Sequence, residues 1–319
     1  MDSTVEILLS TFNGEKHLSA QLDSVLNQDY PYWKMTVRDD GSTDETIAIL
    51  NNYIQKYPDK IILLADDKGN IGYSNSFSEL LKKSSAEYTM YCDQDDYWHP
   101  TKISAMLSVM LEEEVKLPAA AHIVFSDLHV TDSELKVVSQ SFLNKMGYSP
   151  QKGMQVFFLK NYVPGCNLMF NRVLVQQVLQ TDNIINLHDH WLLIVCLALG
   201  EKGRITYIDK PLMKYRLHDN NAIGFIEPDT SSLHKMVLFF KDCLKYGLSN
   251  KKYRNLLYSK NIQQVQNVCE RLQEGVSKDA IRFSTIDGSN YFARKMRNVI
   301  RPYILERSLW KQLTYIICF

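Results

Sequence analysis

Asp93, Asp95 and Asp96 occupy three of four consecutive positions in "YTMYCDQDDYW" (88–98), directly after an apolar run of strand character. Carboxylates crowded this closely repel one another unless a cation neutralises them. A hard divalent ion takes oxygen ligands, and Mg²⁺ is held by one or two carboxylates together with substrate phosphates. An ion that bridges a diphosphate makes it a better leaving group, because it absorbs the charge that develops as the bond breaks. Asp-x-Asp at a strand end therefore suits a reaction on a nucleoside diphosphate. The same residues also fit a solvated acidic turn, so the neighbouring clusters must decide.

Two such clusters lie upstream. "RDDGSTD" (38–44) offers Asp39 and Asp40 to a base or ribose, while Thr43 and Asp44 are suited to capping the helix that follows. "STFNGE" (10–15) contributes Phe12, whose ring can stack on a pyrimidine or lie in the core. Downstream, "HDHW" (188–191) places Asp189 at the start of an apolar helix. A helix N-terminus favours the ionised carboxylate, which is the form able to accept a proton; a simple cap is the alternative. His188, His190 and His218 raise zinc, but no cysteine has the spacing of a zinc site. Neither a P-loop nor G-x-G-x-x-G follows the first apolar run, which argues against an NTPase or a dinucleotide enzyme.

The elements that must position these residues are legible as hydrophobic periodicity. Apolar runs at 5–10, 33–37, 60–65 and 88–92 predict strands. Leu18, Leu22, Val25 and Leu26 mark a helix capped by Asn13; Ile47, Leu50 and Ile54 a helix capped by Thr43; Phe77, Leu80 and Leu81 a third. Pro100 opens a fourth, with Ile103, Met106, Leu107, Met110 and Leu111. Such strand–helix alternation predicts a doubly wound parallel sheet. Ligands of such sheets bind beyond the carboxyl ends of the strands, where all three polar clusters fall. Further strands are expected at 121–127, 135–140 and 167–170, then two more in "RITYID" and "LMKYRLH"; a buried helix ends at Gly200, and the chain is helical from about 230.

The 319 residues suffice for one large domain with an appendage, and apolar (45%) and charged (23%) contents are those of an ordinary globular chain. Formal net charge is zero, which gives no electrostatic reason to expect nucleic acid as a partner. The six cysteines form no C-x-x-C pair and read as reduced core residues. The start of the chain lacks a basic region before an apolar stretch, so no signal peptide is expected. The apolar run 191–200 is about half of the ~20 residues that span a bilayer. The last stretch carries Arg294, Lys295, Arg297, Arg301, Arg307 and Lys311 beside Trp310, Tyr315 and Phe319. It suits an anionic membrane surface, and equally a helical appendage or dimer contact.

Together "ILLSTFNGEKHLSAQLDSVLNQ", "VRDDGSTDET", "DQDDYWHPTKI", "HDHW" and "YRLHDNN" resemble the family 2 inverting glycosyltransferases of GT-A fold, in the family's order and over roughly residues 1–225. Within that family the chain is most similar to bacterial rhamnosyltransferases of cell-wall and capsular polysaccharide assembly. The resemblance implies an α/β, Rossmann-like, mostly parallel sheet in a catalytic domain at 1–225. Residues 1–120 would form its nucleotide-sugar half and 121–225 its acceptor half, with a helical extension at 226–319. It implies donor contacts from Thr11, Phe12, Asp39, Asp40, Asp93, Asp96 and Arg216, and a divalent metal, Mg²⁺ or Mn²⁺, on Asp95 and His218. It further implies Asp189 as general base and acceptor contacts from Gly165, Asn167, His190 and Trp191. The third position of "HDHW" is often a second aromatic in the family, and here it is His190. The implied partners are a dTDP- or UDP-linked sugar and a lipid-linked saccharide, the implied location the cytoplasm or the inner face of the plasma membrane. A nucleotidyltransferase would want a glycine-rich basic loop after the first strand, and "STFNGEKHL" is a poor one; a non-catalytic sugar-nucleotide module would not need Asp189, Asp95 and His218 together.

Overall fold

The computed structural model describes residues 3–150, 153–158, 161–181, 187–218, 249–272 and 276–284. The basic segment at 294–311 lies outside these.

The chain opens with the expected alternation: β1 (Val5–Thr11), α1 (Leu18–Leu26), β2 (Trp33–Asp39), α2 (Thr46–Lys56), β3 (Ile61–Leu63), α3 (Tyr73–Lys83) and β4 (Tyr88–Cys92). Short β5 (Tyr97–Trp98) and α4 (Lys102–Lys116) follow. Then come β6 (Ala121–Thr131), β7 (Val137–Ser139), α5 (Phe142–Lys145), β8 (Leu168–Asn171), α6 (Arg172–Val178), α7 (His188–Ala198) and β9 (Gly203–Arg216). Two further helices, α8 (Ser249–Leu272) and α9 (Lys278–Ser284), close the described part.

One sheet runs in the order β3-β2-β1-β4-β8-β6-β9-β5, with β7 beside β6. The first four strands are parallel, as are β6 and β9; β8 is antiparallel to both β4 and β6, and β5 to β9. β1 and β4 flank the sheet's centre and are buried almost throughout, which is why both read as unbroken apolar runs. Phe77, Leu80 and Leu81 of α3 and Ile103, Met106 and Met110 of α4 seal the core.

Three local readings change. α1 begins at Leu18 and takes no cap from Asn13, which sits at φ 46° and accepts instead from the Thr43 backbone N–H (2.8 Å). At α2 the capping oxygens are those of Asp44, bonded to the backbone and hydroxyl of Thr46 (3.0 and 2.6 Å), not that of Thr43. The two strands expected around Pro211 are one, because shifts in the β6–β9 register near Asp127 accommodate the proline and let β9 run on to Arg216. Gly200 does follow α7, at φ 60°. Among the described residues no helix is long and apolar enough to cross a membrane, and Cys92, Cys166, Cys196 and Cys269 are free.

Candidate active site

The ends of β1 and β2 are knitted into one rigid floor. Asp39 accepts four hydrogen bonds, from the hydroxyls of Thr11 (2.8 Å) and Ser42 (2.6 Å) and from the backbone of Gly41 and Ser42 (3.1 and 2.8 Å). These fill both lone pairs of each oxygen. Asp39 and Thr11 thus shape the loop. Asp40 is buried and ion-paired with Arg38 at 2.6 Å, and accepts from Ile71 and Gly72 backbone N–H groups (both 2.9 Å). One lone pair of its Oδ2 is left by these bonds. Phe12 is 46% exposed and so is no core aromatic. Its backbone is clamped at both polar atoms by the Gln94 side chain (2.9 Å each). Gln94, the residue between the aspartates, thereby ties the Phe12 loop to the acidic turn.

That turn lies between the ends of β4 and β9. Asp93 is held up at about 7, first by burial and then by the charges of Asp95 and Asp189. Asp96 is fully buried and pushed well above the usual carboxylate range by burial and by its two neighbours. Its Oδ1 accepts from the Arg216 backbone (3.2 Å) and its Oδ2 has no partner. Asp96 therefore braces the turn from behind. Arg216 meets the same turn: its buried guanidinium donates to the backbone carbonyls of Asp95 (2.7 Å) and Ser133 and so holds the turn's shape.

Beneath the turn lies a residue the sequence reading missed. Lys102 is completely buried, donates to the Cys166 carbonyl (2.7 Å), and stands 3.9 Å above the Trp98 ring. Burial lowers its ammonium to about 8, against the pull of the acids Asp96 and Asp93. A lysine on the same helical stripe as Met106 and Met110 was the available signal. His17 is a second such residue; its ring tilts against that of His218 (centroids 5.1 Å), within the field of Asp95 and Arg216.

The donor set for a divalent ion can be tested on these contacts. His218 Nε2 lies 2.7 Å from Asp95 Oδ2, so the two predicted ligands do converge. Carboxylate oxygen with imidazole nitrogen leans toward Mn²⁺ over Mg²⁺. The unrelieved repulsion that lifts Asp93 and Asp96 is what a cation would remove. Among the described residues Asp93, Asp96 and Cys166 also converge. Lys102 already supplies positive charge there, and Asp96 and Cys166 are sealed from solvent, so Asp95 and His218 fit the ion better. No histidine cluster of zinc type forms among these residues.

Asp189 stands at the N-terminus of α7, 6% exposed, with its Oδ1 accepting the His190 backbone N–H (2.7 Å). Its charge contributes to the raised pKa of Asp93, which places the two carboxylates in mutual electrostatic reach. Gly165 packs beneath it; a Cβ there would come within 2.8 Å of His188 Nε2 and 3.1 Å of Asp189 Cβ. The other expected acceptor contacts face inward. Asn167 is buried and exchanges bonds with Ser126 on β6, His190 Nε2 meets the Phe157 carbonyl, and the Trp191 indole donates to Thr181 (3.0 Å). Each of these three has an internal partner. His188 is buried between Phe77 (4.2 Å, stacked), Tyr73 and Tyr91, with neither ring nitrogen hydrogen-bonded.

The mixed sheet and its flanking helices have the arrangement of a GT-A fold. The family model described as glycosyl transferase family 2 matches residues 6–179, just over half of the chain, and the chain belongs to that family. It is 28% identical over 219 residues to a putative teichuronic acid biosynthesis glycosyltransferase, TuaG, of Bacillus subtilis (68% of this chain, 80% of that one). It is 26% identical over 228 residues to the dTDP-rhamnosyl transferase RfbG of Shigella flexneri (68% and 73%). In fold it is similar to S. aureus TarS 1–349 in complex with UDP, at a TM-score of 0.54 and 15% identity (99% of this chain, 78% of that one).

Proposed function

We propose that this glycosyltransferase is metal-dependent and inverting, and that it moves a hexose from a nucleoside diphosphate to a hydroxyl of a growing cell-surface polysaccharide. The observation that carries the reading is the convergence of Asp95 Oδ2 and His218 Nε2 (2.7 Å) at the acidic turn, together with a buried carboxylate, Asp189, at the N-terminus of α7. A diphosphate held at Asp95 and a base at Asp189 would then face the two ends of one sugar. Phe12 offers its exposed ring to the nucleobase, with Asp40 and the Thr11 loop behind it. The name of TuaG, with its teichuronic acid, supports a cell-surface polysaccharide, and that of RfbG supports dTDP-rhamnose as donor. A lipid-linked acceptor is part of the same proposal.

Asp95 and His218 would hold the ion, which when bound screens the charge of the departing diphosphate. Asp189 takes the proton of the acceptor hydroxyl as its oxygen bonds to the anomeric carbon. The bond from that carbon to the diphosphate breaks on the opposite face, and its electron pair leaves with the nucleoside diphosphate. The proton moves late, once the attacking oxygen has become acidic. Asp189→Asn should lower transfer by at least ~100-fold while nucleotide-sugar affinity stays within about twofold. Turnover like that of the wild type in this variant would overturn the assignment of the base.

A further inference from the structure

We propose that Tyr73 lines the pocket of the transferred sugar, as the aromatic surface against which the hexose ring lies between Asp93 and Asp189. The inference rests on the proposed function and names one residue of its donor-sugar subsite.

Tyr73 is the first residue of α3 and is 39% exposed, in contrast to Phe77 one turn on, which is buried. The turn before it is fixed from within. Arg38 pairs with Asp40 and Asp66 (2.6 and 2.7 Å), and Asp40 in turn holds the backbone of Ile71 and Gly72. Gly72 sits at φ 83°, a conformation that costs a side-chain-bearing residue energy, and it redirects the chain into the helix. Behind Tyr73, the Ser74 hydroxyl accepts the His188 backbone N–H (3.1 Å), so the start of α3 is pinned to the start of α7. The Tyr73 ring meets the His188 ring edge-on at 5.9 Å, one residue from Asp189. The phenol is raised by burial and by the charges of Asp189 and Asp93 together. One exposed aromatic thus stands at the start of α3 with its ring against the residue next to the base, within the field of Asp93.

The chemistry suits a pyranose. An aromatic face covers the apolar C–H side of the ring, and the phenol hydroxyl is left to bond a sugar hydroxyl. A bare nucleoside diphosphate would extend from Phe12 to Asp95 and leave Tyr73 untouched. The residue should therefore separate nucleotide sugar from nucleotide, which a purely structural role would not do.

The test is titration of the full chain with dTDP-rhamnose, UDP-glucose and UDP-N-acetylglucosamine, and with dTDP and UDP, all with Mn²⁺. For whichever sugar nucleotide the wild type prefers, Tyr73→Ala should weaken binding about tenfold, while its nucleoside diphosphate binds within about twofold of wild type. Tyr73→Phe, which keeps the ring and the fold, should weaken sugar-nucleotide binding about threefold and should change the order of preference among the three sugars. Equal losses for sugar nucleotide and nucleotide, or no loss for either, would overturn the role of Tyr73 and leave the proposed function standing. A wild type that binds none of the three donors would overturn both.

Discussion

At the scale of single residues, the catalytic geometry depends on space as much as on charge. Gly165 leaves room for the start of α7, and a methyl group there would collide with His188 and crowd Asp189. Gly165→Ala should cut turnover at least ~10-fold with a stability loss of about 1–3 kcal/mol, because overpacking is absorbed by shifting the base. Parallel measurement of melting point and rate checks it; an unaltered rate removes Gly165 from the positioning of Asp189. Lys102 acts through charge. Its buried ammonium backs Asp93 and Asp96 and donates to the Cys166 carbonyl, so Lys102→Met preserves volume but leaves these groups without their cation. Stability should fall by about 3–5 kcal/mol, and turnover per folded molecule should fall at least ~10-fold. An unchanged melting point, or a rate per folded molecule equal to that of the wild type, would contradict this. The two residues differ in how far the sequence exposed them. The resemblance implied that Gly165 and Asn167 lie by the acceptor, but nothing in it disclosed that Asn167 bonds to Ser126. Types and spacings singled out Asp95, His218 and Asp189 as candidates because chemistry selects residue types. They could not distinguish Asp93 from Asp96, which differ only in which way a turn faces.

At the scale of elements, the sheet and its order of helices were legible because apolar periodicity and buried strands speak directly in one dimension. Loop connections were not, because they join residues far apart in sequence. The pairing of Arg38 with Asp40 and Asp66 is such a case, and it anchors the turn that carries Tyr73. Replacing Arg38 by Met would leave Asp40 buried without its cation, at a cost of about 3–5 kcal/mol. The pH dependence follows from Asp66, whose carboxyl is lowered below 3.8, chiefly by its hydrogen bond with Arg38. A lowered folded value means stability that is complete above the unfolded value of ~3.9 and lost as pH falls through the folded one. The wild type should therefore lose stability in acid below about pH 4, whereas Arg38→Met starts lower and declines less steeply over that range. Urea denaturation from about pH 6 to about pH 2.5 measures both slopes. Parallel curves would show that Asp66 does not draw on Arg38.

At the scale of the whole molecule, the described part of the C-terminal segment is not set apart from the catalytic elements. Ile262, Val265 and Val268 of α8 and Ala280 of α9 are buried, and the Ser277 backbone donates to the Ala198 carbonyl at the end of α7 (2.7 Å). Gly200 is in close contact with Ser277, where a Cβ would come within 3.1 Å. The sequence showed helical spacing here but not its partner, because an amphipathic stripe states that a face is covered and not by what. α7 is 11 residues long, roughly 16 Å, with Asp189 at one end and this packing at the other. Val265→Asp, which places a carboxylate in that contact, should cost about 3 kcal/mol or more. The melting point should fall by roughly 6–12 °C in a single transition, with turnover per folded molecule near that of the wild type. Two separate transitions, with only the lower one displaced, would mean that the helical segment folds as its own unit and that α7 is stable without it.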